Sequence, residues 1–94
     1  MSTQAEEKSY NVSILEIDYL CNQLEILLDV TNAQQLKTNW IQIHSLTESI
    51  RKLFDKLVVT FGKKLIENKK DYDLIYNDLA NCNQAFKKAE TLIR

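Results

Sequence analysis

The first third of the chain carries an apolar series with the rhythm of a helix face. Its members recur in steps of four and three, as residues on one side of an α-helix do; they are Tyr10, Ile14, Ile17, Cys21, Leu24 and Leu28. This spacing predicts a helix that packs inward along this face. We expect it to start between Thr3 and Ser9, after partly disordered residues 1–8, and to run to about Val30. Thr3 and Glu6 fit a capping box at its start.

A second apolar series follows the same rhythm in the same segment. It consists of Val12, Leu15, Tyr19 and Ile26, with Asn22 at the position of the missing member. At about 100° per residue the two series lie about half a turn apart, so no single groove between two other helices would cover both. One of the two apolar series therefore stays uncovered by the protein's own helices and is expected to pack against another chain. Asn22 resembles the polar residue that fixes register in helical assemblies; the alternative is that the second series ends there.

The middle of the chain predicts one long helix. Proline is absent and Gly62 is the only glycine, so little interrupts a helix here. The apolar stripe keeps its phase across this glycine; it comprises Leu36, Trp40, Ile43, Leu46, Ile50, Leu53, Phe54, Leu57, Phe61 and Leu65. We expect a helix from about Ala33 to about Glu67, preceded by a turn at Thr31 and Asn32. The alternative ends it at Phe61 with Gly62 as the residue after the C-cap, which gives four helices in all.

The last segment predicts a third helix that runs to the C-terminus. Asn68, Lys69 and Lys70 form the preceding turn, and Asp71 is the expected N-cap. Its apolar series again has four-three spacing, with Ile75, Leu79, Cys82, Phe86, Ala89 and Ile93. The predicted fold is all-α: a single domain over residues 1–94, built as a three-helix up-down-up antiparallel bundle. We expect this bundle to associate with another helical chain.

The two cysteines both occupy core-facing positions. We therefore interpret Cys21 and Cys82 as small apolar core residues. If the second helix is a straight rod, they lie level with about residue 42 and about residue 56. That corresponds to a separation of about 20 Å along the bundle, which is beyond the reach of a disulfide. We expect no intramolecular bridge.

Candidate catalytic chemistry is sparse. His44 is the only histidine, so a phosphotransfer domain, the least favoured reading, would be built on it. The segment from His44 to Ile50 lacks the lysine and the small residues that follow the histidine in such domains. No Gly-rich phosphate loop or cluster of His and Cys at metal-ligand spacing is present. We predict no enzyme, no metal and no cofactor. Trp40 is interpreted as a core residue near the first turn, with an interface anchor as the alternative.

Composition narrows the class of partner. The chain has 94 residues, of which 45% are hydrophobic and 27% are charged, with a net charge of −1. A charge near zero removes the general attraction on which non-specific nucleic-acid binding depends. No apolar run is long enough to span a membrane, and the polar start is no signal peptide. We expect a cytoplasmic or nuclear protein that binds no nucleic acid, membrane or small-molecule substrate.

Aromatic side chains complete the candidate binding surface. Tyr72 and Tyr76 lie one turn apart at the margin of the third apolar stripe, where core edges and interfaces both place amphipathic rings. The predicted partner-binding residues are thus Val12, Leu15, Tyr19, Asn22, Ile26, Tyr72 and Tyr76. They indicate an interaction module, either a small subunit of an assembly or a chaperone or adaptor that holds a partner helix. The association could be homo- or hetero-oligomeric, and the alternative function is a stand-alone immunity or inhibitor protein.

Overall fold

Three helices account for nearly all of the part of the chain that the structure describes, which is residues 2–93 of a computed structural model, with side chains from Gln4 onward. They are α1 (Ser2–Leu28), α2 (Ala33–Glu67) and α3 (Lys69–Glu90). No strand occurs in this range, which confirms the all-α three-helix bundle. Residues 2–8, for which partial disorder is predicted, are helical. Met1 and the side chain of Thr3, the predicted cap, lie outside the described residues.

Contacts with the end of α2 hold the N-terminal turns of α1 in place. Lys64 forms an ion pair of 2.9 Å with Glu7, and its ammonium lies 4.8 Å from the centre of the Tyr10 ring. The same ring packs edge-on against Phe61, with 5.6 Å between ring centres. Because both partners sit on α2, these contacts fix how far α1 lies along it.

The core forms along the inward face of α1, as the first apolar series predicts. All six of its members are buried. They meet buried residues of the other two helices, namely Leu36, Ile43, Ile50, Leu57, Leu65, Ile75, Cys82 and Ala89. α1 packs extensively against both α2 and α3, whereas α2 and α3 touch each other little. The bundle is therefore open along the edge between α2 and α3.

A kink in α2 divides its last turns from the rest of the helix. The backbone leaves helical geometry at Phe61, with φ −129° and ψ 22°, and the helix then continues to Glu67. The count of three helices is confirmed and the four-helix alternative is wrong, but α2 is kinked at Phe61, next to Gly62, rather than regular throughout. Gly62 does not have a positive φ, so it does not end a helix in the left-handed conformation. Beyond the kink Leu65 is buried, which keeps the final turns on the core.

Asparagine side chains cap the helix that follows each of the two interhelical connections. Asn32 caps α2 by accepting a hydrogen bond of 2.9 Å from the Gln35 backbone N–H. Asn68 both ends α2 and caps α3, since its side chain accepts from the backbone N–H of Asp71 at 3.3 Å. The prediction of Asp71 as the cap is therefore wrong, and a single residue joins the two helices. Asp71 instead accepts a hydrogen bond of 2.9 Å from the Tyr10 hydroxyl.

Candidate functional site

The second apolar series of α1 lies on the surface. We call its five positions the outer strip: Val12, Leu15, Tyr19, Asn22 and Ile26. The four apolar members are between 49% and 66% exposed, and Asn22 is exposed too. The strip faces away from the core because the buried series occupies the opposite side of the same helix. No part of the chain that the structure describes covers it.

A shallow groove extends the outer strip toward α2. Tyr19 and Ile26 form its edge on α1. The half-buried side chains of Leu20 and Leu27 lie deeper in it, and Leu46 approaches from α2. A helix laid along the strip would therefore bury apolar surface on α1 and on the adjoining side of α2.

Carboxylates flank the outer strip. α1 carries five acidic residues and one basic residue, Lys8. By helical spacing, Glu16 lies on the side of the strip toward α2, and Asp18 and Glu25 lie on the side toward α3. A partner with basic residues beside its apolar face would match this surface in charge.

The two tyrosines of the predicted surface lie elsewhere. The rings of Tyr72 and Tyr76 are exposed and stack on each other, with 6.4 Å between centres. They share a side of α3 with Leu79, Asn83 and Phe86, since the spacing from one to the next is four, three, four and three residues. The structure therefore divides the predicted partner-binding residues between two surfaces.

The second surface is a groove between α2 and α3, which the sequence analysis did not predict. On α2 it is lined by Thr47, Ile50, Arg51 and Phe54, on α3 by Leu79, Cys82, Asn83 and Phe86, and on α1 by Leu24. Its aromatic rings are only partly buried because the two helices hardly touch. We call it the α2/α3 groove. The sequence signal for it is the pair of aromatic residues, Phe54 and Phe86, on the apolar stripes of α2 and α3.

Trp40 is on the surface, so its prediction as a core residue is wrong. Its side chain is 54% exposed and lines a shallow apolar pocket with Leu36, Lys37 and Ile93. The helical spacing from Trp40 to Thr47, Arg51 and Phe54 places it on the side of α2 that faces the α2/α3 groove. His44 is also exposed on this helix.

Comparisons with protein-family models, curated proteins and solved structures found no match to this chain. Within residues 2–93, no helix combines the length and the apolar character that crossing a bilayer requires. The described side chains include no group of three or more His, Cys, Asp or Glu residues arranged to hold a metal ion. The surfaces themselves are thus the basis for a functional proposal.

A buried carboxyl, Asp78, faces the half-buried Asp18 across the contact between α1 and α3. Asp78 is only 6% exposed, and one of its carboxylate oxygens, Oδ2, has no hydrogen-bond partner among the described side chains. Burial, together with the facing Asp18 and the nearby Glu25, raises the pKa of Asp78 to about 7. The protonated carboxyl can donate to Asp18, whereas the ionised form would repel it. We therefore expect the α1/α3 contact to weaken as the Asp78 carboxyl ionises.

The cysteines lie next to each other in the same contact, so the predicted separation of about 20 Å is wrong. Both are buried, as predicted, and the Cys82 thiol donates to the Cys21 carbonyl oxygen with a sulfur-to-oxygen distance of 3.4 Å. A hydrogen bond with Cys82, together with burial, raises the pKa of the Cys21 thiol. At neutral pH the Cys21 thiol therefore stays protonated and reacts slowly.

We expect mild oxidation with diamide to link Cys21 and Cys82 within one chain. The Cys82 sulfur lies 3.4 Å from the Cys21 carbonyl oxygen, so the two residues are neighbours, and a bridge would raise the free energy of unfolding by about 2 to 4 kcal/mol. Non-reducing electrophoresis and urea unfolding of the oxidised protein would measure this. Cys82→Ala is the control that cannot form the bridge. Disulfide-linked dimers without an internal bridge would contradict the arrangement.

Proposed function

We propose that this protein is a non-enzymatic interaction module that binds an amphipathic helix of another chain along the outer strip of α1. The observation that carries the proposal is the exposure of Val12, Leu15, Tyr19 and Ile26 on the side of α1 opposite its core face. A row of four large apolar side chains on a surface helix is typical of a protein-binding site. We place this activity in the cytosol or the nucleus, where the thiols of Cys21 and Cys82 stay reduced.

The surroundings of the strip define the partner further. The half-buried leucines between α1 and α2 give a second helix a trough to lie in. Binding of this kind relies on apolar residues of the partner at helical spacing. The carboxylates of α1 favour lysine or arginine beside that apolar face. The expected partner segment is thus a basic amphipathic helix.

A synthetic peptide provides the direct test. The probe is a fluorescein-labelled amphipathic helix with leucines on one face and lysines beside them, titrated with the protein and followed by fluorescence anisotropy. We expect saturable binding that Leu15→Glu weakens about tenfold or more, since it buries an uncompensated charge in the contact. Ile41→Glu is the matched control, because Ile41 is equally apolar and 83% exposed but lies on α2 outside the strip.

Two results would contradict the proposal. One is equal peptide affinity for the Leu15→Glu and Ile41→Glu variants, which would mean that the strip is not the site. The other is a wild-type protein that neither binds the peptide nor associates with itself in sedimentation experiments. A folded monomer of that kind would favour the immunity or inhibitor class instead.

A further inference from the structure

The helix α3 depends on α1 for its place in the bundle. It touches α2 little, so the contact with α1 supplies most of what holds it. Its N-terminal end is tied in other ways as well, because the single residue Asn68 joins it to α2. The hydrogen bond of 2.9 Å from the Tyr10 hydroxyl to Asp71 and the buried side chain of Ile75 fix the same end. The first turns of α3 are therefore anchored.

The remainder of α3 presents small side chains to α1. Beyond Asp78, its inward positions are Cys82, Ala85 and Ala89. Each of these buries less apolar surface than a leucine or isoleucine does, so each stabilises the contact less. The larger side chains of this segment line the open α2/α3 groove and are only partly buried. At the far end, Lys88 and Asp29 form an ion pair of 3.7 Å, but both side chains are largely exposed, so the pair contributes little.

A buried carboxyl lies at the start of this weakly held segment. The charged groups that face Asp78 are Asp18 and Glu25, which are both acidic and both on α1; the thiols of Cys21 and Cys82 are the other titratable groups beside it. Within the described residues, no charged side chain of α2 acts on this carboxyl. An ionised Asp78 therefore meets two carboxylates in a buried contact, so the closed bundle favours the neutral acid.

We propose that the part of α3 from Asp78 to Glu90 releases from α1 as a unit when the Asp78 carboxyl ionises, while the first turns of the helix stay anchored. In the released state the carboxylate is hydrated and lies away from Asp18, which offsets the contacts that are lost. Release uncovers Cys21 and Leu24 on the core face of α1 and widens the α2/α3 groove. Acidification reverses the change, so the fold contains a pH-dependent switch.

Proton binding sets the direction and the size of the switch. Burial and the facing Asp18 raise the pKa of Asp78 to about 7 in the closed bundle, whereas a released aspartate titrates near pH 4. The proton therefore favours closure fully below about pH 4, and this advantage is lost as pH rises through 7. From pH 5 to pH 8 the ratio of released to closed molecules is expected to rise about 80-fold.

Amide hydrogen exchange, followed residue by residue by NMR, tests the release. Each observed rate divided by the intrinsic rate at the same pH gives an opening constant. The released segment is too short to be a stable helix in water, so its amides exchange when it detaches. We expect opening constants for residues 82–89 to rise about 80-fold from pH 5 to pH 8. At pH 8 they should exceed those of Ile43 and Leu57, which are buried on α2, at least tenfold.

Three variants assign the effect to the facing carboxyls. Asp78→Asn should leave less than about a threefold change between pH 5 and pH 8, since the titrating group is gone. Asp18→Asn should give a rise between that of Asp78→Asn and that of the wild type, because it removes the facing carboxyl and leaves the burial. Asp73→Asn, at an exposed position of the same helix, is the control that should keep the wild-type rise. Circular dichroism checks that each variant is folded.

Two outcomes would overturn the inference. Equal opening constants in α2 and in residues 82–89 at every pH would mean that the whole bundle unfolds at once and that α3 does not release separately. A rise in Asp78→Asn as large as in the wild type would mean that this carboxyl does not control the release. If Asp78→Asn does not fold, an unchanged rise in Asp18→Asn contradicts the inference in the same way.

Discussion

Asp78→Asn is expected to remove most of the loss of stability that we predict for the wild type as pH rises from about 4 to about 7. In the folded protein burial beside Asp18 raises the pKa of Asp78 to about 7, whereas an unfolded aspartate titrates near pH 4. Between these values the folded state holds a proton that the unfolded state has released. Stability contributed by this group is therefore present below about pH 4 and is lost as pH rises through 7.

The expected size of the effect is large for a chain of this length. The two pKa values correspond to a decrease of up to about 4 kcal/mol in the free energy of unfolding. Asparagine has nearly the shape of aspartate, carries no charge and can donate to Asp18, so the variant should be more stable than the wild type at pH 8. Urea unfolding at pH 4.5, 6 and 8 measures both proteins.

Asp73→Asn is the matched control for this experiment. Asp73 lies on the same helix, is exposed and forms a surface ion pair of 3.1 Å with Lys69. Exposed pairs of this kind contribute little, so its removal should change stability by less than about 1 kcal/mol and leave the pH dependence unchanged. Parallel pH curves for Asp78→Asn and the wild type would show that the buried carboxyl does not titrate in this range.

Leu24→Ala is expected to lower the free energy of unfolding by about 2 to 5 kcal/mol. Leu24 is 2% exposed on the core face of α1, so the truncation removes buried apolar contacts and leaves a cavity. A domain of this size has a total stability of about 5 to 15 kcal/mol, so the variant loses a large share of it. Denaturant unfolding followed by circular dichroism gives the value.

The matched control is the same substitution on the other face of the same helix. Leu15 is 66% exposed, so Leu15→Ala should change monomer stability by less than about 0.5 kcal/mol. Measurements at low concentration keep association from adding to the difference. Equal losses for the two variants would mean that both faces of α1 support the fold.

The helices were predictable because local signals agree along the chain. Strict four-three spacing, the absence of proline and polar residues at the turns placed each helix within a few residues of its position. The end of α2 at Glu67 and the turn at Asn32 agree with the prediction from the sequence. The cap of α3 was misplaced because Asn68 and Asp71 are both good capping residues, and only the geometry of the one-residue connection selects between them.

The register between helices was not predictable in the same way. If α1 and α2 are counted back from the turn between them as straight antiparallel rods, Tyr10 is expected opposite about residue 53. In the structure its ring packs on Phe61. The difference of about eight residues arises toward the N-terminal end of α1, because Leu27 contacts Asn39, only about three residues from its expected level. Side-chain packing and the kink at Phe61 set this register, and no local pattern records them. As a result, the contact between Cys21 and Cys82 was missed.

The candidate surfaces were predictable only in part. The outer strip follows from periodicity, since two opposed series on one helix cannot both face the same core. The α2/α3 groove depends on how far two helices are apart, and the apolar spacing of Phe54 and Phe86 is the same whether that edge is open or closed. Trp40 illustrates the same limit of prediction from sequence. Its position on the apolar stripe of α2 does not show that the pocket it lines is open to solvent.

Methyl NMR spectra test most directly whether the outer strip is the binding surface. We would record them on isotope-labelled protein over a dilution series and with the leucine-lysine peptide. We expect methyl signals of Val12, Leu15 and Ile26 to shift as a helix binds, while those of Ile41 and Val59, which are exposed on α2 outside the strip, stay in place. Shifts at the strip no larger than those at Ile41 and Val59 would contradict it.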